Sequence, residues 1–138
     1  MNSDAFEELT RVVAQLRDPE NGCPWDLEQT HVTLQKYLEE ETAEVLEAIQ
    51  TLENEDQNPN YEALAEELGD VLLQVMLHAQ IASESGNFNI DDVLRILIDK
   101  LIRRHPHVFG DSDASSVDEV VAQWERIKAE EKTKKEKK

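Results

Sequence analysis

Cysteine occurs once in the 138 residues, at Cys23, which excludes an internal disulfide framework. Basic residues are scarce: 14 Lys and Arg stand against 31 Asp and Glu, for a net charge of -17. A surface so negative repels the phosphate backbone that supplies most non-specific nucleic-acid affinity, so binding of a DNA or RNA polymer is not expected. No stretch approaches the ~18 consecutive apolar residues of a spanning helix. The start, Met1-Asn2-Ser3-Asp4, carries neither a basic segment nor an apolar run suited to export. A soluble cytoplasmic protein without a membrane partner is the expectation. Also missing are β-alternating runs, an internal repeat and a glycine-rich phosphate loop, so any phosphate chemistry must rest on side chains and metal.

What is present is helical. Apolar residues make up 39% and charged residues 33% of the chain, the balance of amphipathic helices with wide solvated faces. One folded unit over residues 1–131 is expected, followed by a charged, disordered tail over 132–138. A first helix runs from Ser3 or Asp4 to Leu16 on Phe6, Leu9, Val12, Val13 and Leu16, stopping before Asp18-Pro19. The turn formers Pro19, Asn21-Gly22 and Pro24, with Trp25 among them, predict an ordered loop over Arg17 to Asp26. Two long helices follow, Thr30 to Leu52 with Leu34, Leu38, Val45, Ile49 and Leu52 as its stripe, and Tyr61 to Ser85 with Leu64, Leu68, Val71, Leu72, Val75, Ala79 and Ala82. Gly86-Asn87 stops the second. A shorter helix from Ile90 ends near Arg103, before His105-Pro106. After a loop through Gly110, Ser116 with Glu119 three residues on forms a capping box for a last helix carrying Val120, Val121, Trp124 and Ile127. The fold class is all-α, a helical bundle of two long and two to three shorter helices, completed by two-fold dimerisation or a higher oligomer.

Acids on such helices belong on the wet face, so one that intrudes on the apolar face carries information. At ~100° per residue from Leu34, Glu41 lies about 20° away, in the middle of the stripe, with Glu44 about 80° and Glu40 about 120° off on one side. Measured from Leu64, Glu67 lies about 60° and Asp70 about 120° off, again on one side. A charged, unpaired carboxylate at a core position costs several kcal/mol. Neutralisation by a hard divalent cation, Mg²⁺ with Mn²⁺ as a substitute, explains the pattern, and no Cys/His set offers zinc spacing. Pairing of Glu41 with Lys36 or Arg104, the other acids being solvated, explains it equally well on spacing alone.

Glu40-Glu41-Thr42-Ala43-Glu44, followed after 22 residues by Glu67-Leu68-Gly69-Asp70, resembles the E-E-x-x-E…E-x-x-D signature of the all-α nucleoside triphosphate pyrophosphohydrolases. The stretches Leu16 to Asp26, Arg103-Arg104-His105-Pro106-His107-Val108-Phe109 and Trp124-Glu125-Arg126-Ile127-Lys128 narrow the resemblance to the MazG family and extend it over most of the chain. The resemblance implies Mg²⁺-dependent hydrolysis of a nucleoside triphosphate between its α- and β-phosphates, giving NMP and pyrophosphate, in a helical homodimer or homotetramer. It implies Glu40, Glu41, Glu44, Glu67 and Asp70 as metal ligands, Glu40 or Glu41 also orienting the attacking water. Lys100, Arg103 and Arg104 would clamp phosphate oxygens, with a basic helix terminus favoured by the macrodipole as the plainer reading. Trp124 and Lys128 match positions near the nucleotide, though Trp124 equally continues an apolar stripe. Trp25, His78, His105 and His107 are read as structural. Many relatives carry two tandem copies, and the loop and His-Pro-His motifs here are similar to the first of them.

Rival classes stay open beside a broad house-cleaning hydrolase. They are a sensor that holds nucleotide without turnover, a helical regulatory module, and a narrow enzyme for dUTP, dCTP or phosphoribosyl-ATP. Base and sugar preference is not legible, because no polar side chain can be assigned to a base edge.

Overall fold

The computed structural model describes residues 4–53 and 58–136. Among them are seven helices and no strand: α1 Asp4–Leu16, α2 Pro24–Glu28, α3 Gln35–Leu52, α4 Tyr61–Glu84, α5 Ile90–Arg104, α6 Pro106–Phe109 and α7 Val117–Glu136. The all-α expectation holds. Where one folded unit was expected, the backbone contacts divide the chain between Ile90 and Asp91 into two compact units.

In the first unit, α3 and α4 form a helical hairpin and α1 packs on α4. Val13 of α1, Leu34 just ahead of α3, and Met76 and Leu77 of α4 are its buried centre, flanked by Phe6, Leu9, Tyr37, Leu73, Ile81 and Ile90. The chain leaves α1 through a turn in which the Cys23 N–H donates to the Leu16 carbonyl at 2.9 Å and the Gly22 N–H to the Asp18 carbonyl at 2.8 Å. The loop expected here contains the short helix α2, which Pro24 opens at a position where its missing N–H is no loss. Arg17 holds this segment in place. Its side chain donates to the carbonyls of Asp26 and Gln29 and, at 2.9 Å from both Nε and Nη2, to the two oxygens of Glu84.

The first long helix starts at Gln35 rather than Thr30. Thr30 and Thr33 exchange side-chain-to-amide hydrogen bonds, the Thr33 Oγ1 accepting from the Thr30 N–H at 2.8 Å and the Thr30 Oγ1 from the Thr33 N–H at 3.2 Å. That local pairing competes with helix and leaves a turn. At the far end of α4, Gly86 takes φ 73°, and the Asn87 N–H reaches the Ala82 carbonyl at 2.9 Å while the Gly86 N–H reaches Ser83 at 3.1 Å, a Schellman closure that favours glycine.

The buried faces are rotated from those the sequence suggested. On α3 the inward positions are Tyr37, Glu41, Val45, Ala48 and Leu52, while Leu38 and Ile49 are exposed. On α4, Gln74, Met76, Leu77, Ala79 and Ala82 are buried, while Leu68, Leu72 and Val75 are exposed. Each helix is apolar over more of its circumference than one neighbour covers, so the outer part of the expected stripe faces outward.

In the second unit, the Ser116 Oγ accepts from the Glu119 N–H at 3.1 Å and donates to its carboxylate at 3.1 Å, which starts α7 at the expected place. Pro106 opens α6, a single turn inside the expected loop. Gln123 is buried, bonded to the Ser112 hydroxyl and, at 3.1 Å, to His107 Nδ1, which ties the loop to α7. The last helix continues to Glu136, through 132–136 of the segment expected to be disordered. Lysines in its final turn suit the negative end of the macrodipole. No helix among the described residues is long and apolar enough to cross a membrane.

Candidate functional site

Two turns of the α3/α4 hairpin bring four carboxylates together. Glu41 and Glu44 of α3 and Glu67 and Asp70 of α4 each direct one oxygen to a common point, the four atoms lying within 4.8 Å of one another. Helical spacing explains the set: residues three apart share a face, and an antiparallel neighbour supplies the matching pair. Glu44 is exposed and the other three are half-buried. One buried oxygen of Glu41 and one of Glu67 have no hydrogen-bond partner.

The electrostatics are those of crowded acids. Burial, followed by a shared hydrogen bond with Glu44 and the charges of Glu44, Asp70 and Glu40, pushes the Glu41 carboxyl above its ordinary value of 4.5. A shared hydrogen bond with Glu44, then burial and the charges of Glu44, Asp70 and Glu66, pushes Glu67 up to about 7. Neither cation considered for Glu41 is engaged with it. Lys36 lies over the Tyr37 ring at 5.1 Å, and Arg104 pairs with Glu131.

Unpartnered buried oxygens and an all-carboxylate donor set fit a hard divalent cation, which would satisfy the oxygens and remove the repulsion together. Glu40 is exposed and lies outside the convergent four, acting on Glu41 through its charge. An open cavity of about 450 Å³ adjoins the carboxylates, lined by Glu44, Glu47, Thr51, Asn58, Asn60 and Glu67 among others.

The basic residues expected to bind substrate lie in the second unit. Lys100, Arg104, His105, Val120 and Trp124 line a cavity of about 280 Å³. Lys128 sits over the Trp124 ring at 4.9 Å, a cation–π contact that leaves the indole 40% exposed, so Trp124 is only partly committed to packing. Arg103 and Arg104 both meet Glu131, at 2.6 and 2.7 Å. The two arginines hold the Glu131 carboxyl down at about 2.

Glu131 was not singled out in the sequence. Its signal was there, since it lies four residues beyond Ile127 and seven beyond Trp124, on the apolar side of α7. The pairing of His31 with His78 had no such signal: the rings stack at 4° with Nδ1 atoms 2.7 Å apart, although 47 residues separate them.

Known proteins are similar to this chain over most of its length. A family model described as the MazG nucleotide pyrophosphohydrolase domain matches residues 29–109. The nucleoside triphosphate pyrophosphohydrolase/pyrophosphatase MazG of Thermotoga maritima is 56% identical over 130 residues, which cover 94% of this chain and 46% of that protein. The nucleoside triphosphate pyrophosphohydrolase of Escherichia coli K12 is 50% identical over 130 residues, covering 94% and 47%. This chain therefore spans about half the length of these relatives. Among solved structures, a mazG-related protein from Thermotoga maritima superposes with a TM-score of 0.67 at 26% identity, covering 89% of this chain and 98% of that one.

Proposed function

Because the chain belongs to the MazG nucleotide pyrophosphohydrolase family, we propose that it hydrolyses nucleoside triphosphates between the α- and β-phosphates, releasing NMP and pyrophosphate with Mg²⁺ as cofactor. The observation that carries this reading is the convergence of four carboxylates, two of them with an unpartnered buried oxygen. A bound Mg²⁺, or Mn²⁺ in its place, would polarise the phosphoryl group and lower the pKa of the attacking water.

Glu41, Glu44, Glu67 and Asp70 are the proposed ligands. All four must be ionised to serve, so the protons that raised values leave on Glu41 and Glu67 have to depart first. Glu40, exposed beside Glu41 and outside the four, is free of that duty and is assigned to orient the attacking water. In the second unit, Lys100, Arg103 and Arg104 are assigned to phosphate oxygens, where guanidinium forks suit the charge that builds on a leaving pyrophosphate. The half-exposed Trp124 ring, over which Lys128 lies, is a surface on which any base could stack, which supports a broad range of NTPs and dNTPs. The catalytic domain is taken as residues 1–131, working in the cytoplasm on the nucleotide pool. The exposed Leu38, Ile49, Leu68, Leu72 and Val75 support a two-fold dimer as the working form.

The test is pyrophosphate release from a panel of NTPs and dNTPs, with and without Mg²⁺, for wild type, Glu41→Gln and Asp70→Asn. Metal-dependent NMP and pyrophosphate, reduced at least ~100-fold in both variants, is the expected result. Nucleotide binding without turnover of any member of the panel would overturn the catalytic reading and leave a sensor.

A further inference from the structure

The groove between the C-terminal parts of α5 and α7 reverses the sign of the surface. In a chain of net charge -17, its lining brings together Lys100, Arg103, Arg104, Lys134 and Lys135 against Asp99 and Glu131. The space enclosed is about 510 Å³, ample for a polyphosphate group.

The donors of this groove are already directed at an anion. Arg104 gives Glu131 a two-point contact, Nη2 to Oε1 at 2.7 Å and Nε to the same oxygen at 3.2 Å, and Arg103 Nε meets Oε2 at 2.6 Å. The Arg104 and Glu131 side chains are only 19% and 15% exposed, so the pair is not an ordinary solvated surface contact. A guanidinium fork accepts carboxylate and phosphate with the same geometry. The Glu131 oxygens therefore hold Nε of both arginines and Nη2 of Arg104, the donors that a phosphate bound in the same fork geometry would take.

We propose that Glu131 is an internal competitor for the anion groove, a carboxylate that a substrate di- or triphosphate displaces from Arg103 and Arg104 and that returns as pyrophosphate leaves. The inference rests on the assignment of those arginines to phosphate. It gives the chain two things at once. The half-buried Arg104 is never left without an anion, which would be costly. The groove also cannot hold its product too tightly, because a tethered replacement is always at hand. Lys134 and Lys135, on the next turn of α7, extend the groove beyond the clamp itself.

The experiment is titration of the full chain with inorganic pyrophosphate at low salt, without divalent cation, followed by calorimetry for wild type, Glu131→Gln, Glu131→Asp and Arg104→Gln. Glu131→Gln is expected to bind pyrophosphate at least ~5-fold more tightly, and Arg104→Gln at least ~10-fold more weakly. With nucleotide substrate and Mg²⁺, Glu131→Gln should lower KM in the same sense without raising kcat. A carboxylate that merely ties α5 to α7 would give the opposite, unchanged or weaker binding, and that result overturns the proposal while the clamp stands. If Arg104→Gln binds as wild type does, the clamp assignment itself has failed. Should circular dichroism show that Glu131→Gln does not fold, Glu131→Asp decides. Its shorter reach should loosen the contact and tighten pyrophosphate binding by a smaller factor, and wild-type affinity there overturns the proposal.

Discussion

Binding of Mg²⁺ at the four carboxylates should expel protons, and the number can be worked from the site. Glu67 titrates at about 7 without metal, so it is about three-quarters protonated at pH 6.5 and about one-tenth protonated at pH 8. A ligating carboxylate must be ionised, so binding releases about 0.8 proton from Glu67 at pH 6.5 and about 0.1 at pH 8. Affinity follows the same proton: it should be about tenfold weaker at pH 6 than at pH 8. Calorimetric titration with Mg²⁺ in two buffers of unlike ionisation enthalpy reads the proton count directly. The sign also reaches stability. Both shifts are upward, so the folded metal-free protein holds more protons than the unfolded chain between about pH 4.5 and 7. The stability those protons lend is intact below 4.5 and lost as pH rises through 7, unless metal replaces them. A binding enthalpy independent of buffer at both pH values would refute the reasoning, because it would mean that the acids do not share protons when the cation is absent.

Other perturbations test the frame that holds this site. Arg17→Ala removes the ion pair to Glu84 and two donors to the carbonyls of Asp26 and Gln29; a loss of about 2–4 kcal/mol is expected in urea unfolding, and a loss under ~0.5 would show that the loop is held by other contacts. Gly22→Ala would put a Cβ 2.5 Å from the carbonyl oxygens of Asp18 and Leu16, both backbone, so the turn must open. A destabilisation of about 1–3 kcal/mol, read as a lower thermal midpoint, follows. Leu68→Glu with Leu72→Glu places charges on the exposed apolar face of α4 and should convert a dimer to monomer in sedimentation velocity; a wild type that already sediments as a monomer would remove the dimer from the proposal.

The sequence made some of this plain and hid the rest for identifiable reasons. Helix ends marked by Asp18-Pro19, Gly86 and Ser116 fall where their chemistry places them, because the signal is local. The start of α3 was missed by five residues, since Thr30 and Thr33 satisfy each other's amides and no periodicity announces that. The short helices α2 and α6 lay hidden in segments whose prolines read equally well as turns. Placement of Glu41 among inward positions was legible although the stripe itself rotates, because Glu41 stays within it whether Leu38 and Ile49 or Tyr37 and Ala48 mark the buried side. Spacing likewise set Glu40 about 120° from the stripe, on the side of Glu44, and it is exposed.

Glu41 and Glu131 give the same sequence signal, an acid on the apolar side of an amphipathic helix, and resolve it in opposite ways. Glu131 meets two arginines and is driven down to about 2. Glu41 meets other acids and is driven up, with an oxygen left unpartnered. An intruding carboxylate that its own chain neutralises needs nothing further, whereas one surrounded by carboxylates is incomplete until a cation comes from outside. The sign of the neighbours, which only the fold supplies, separates a held anion from a cation site. It follows that Glu131→Gln should free cationic donors for phosphate, while Glu41→Gln should relieve repulsion and raise metal-free stability as it weakens the metal site. Unfolding measured with and without Mg²⁺ reads the second case: the variant should be at least as stable as wild type without metal and gain less on its addition. A variant less stable than wild type without metal would mean that Glu41 is held by a partner after all, and the argument from unpartnered oxygens would fail with it.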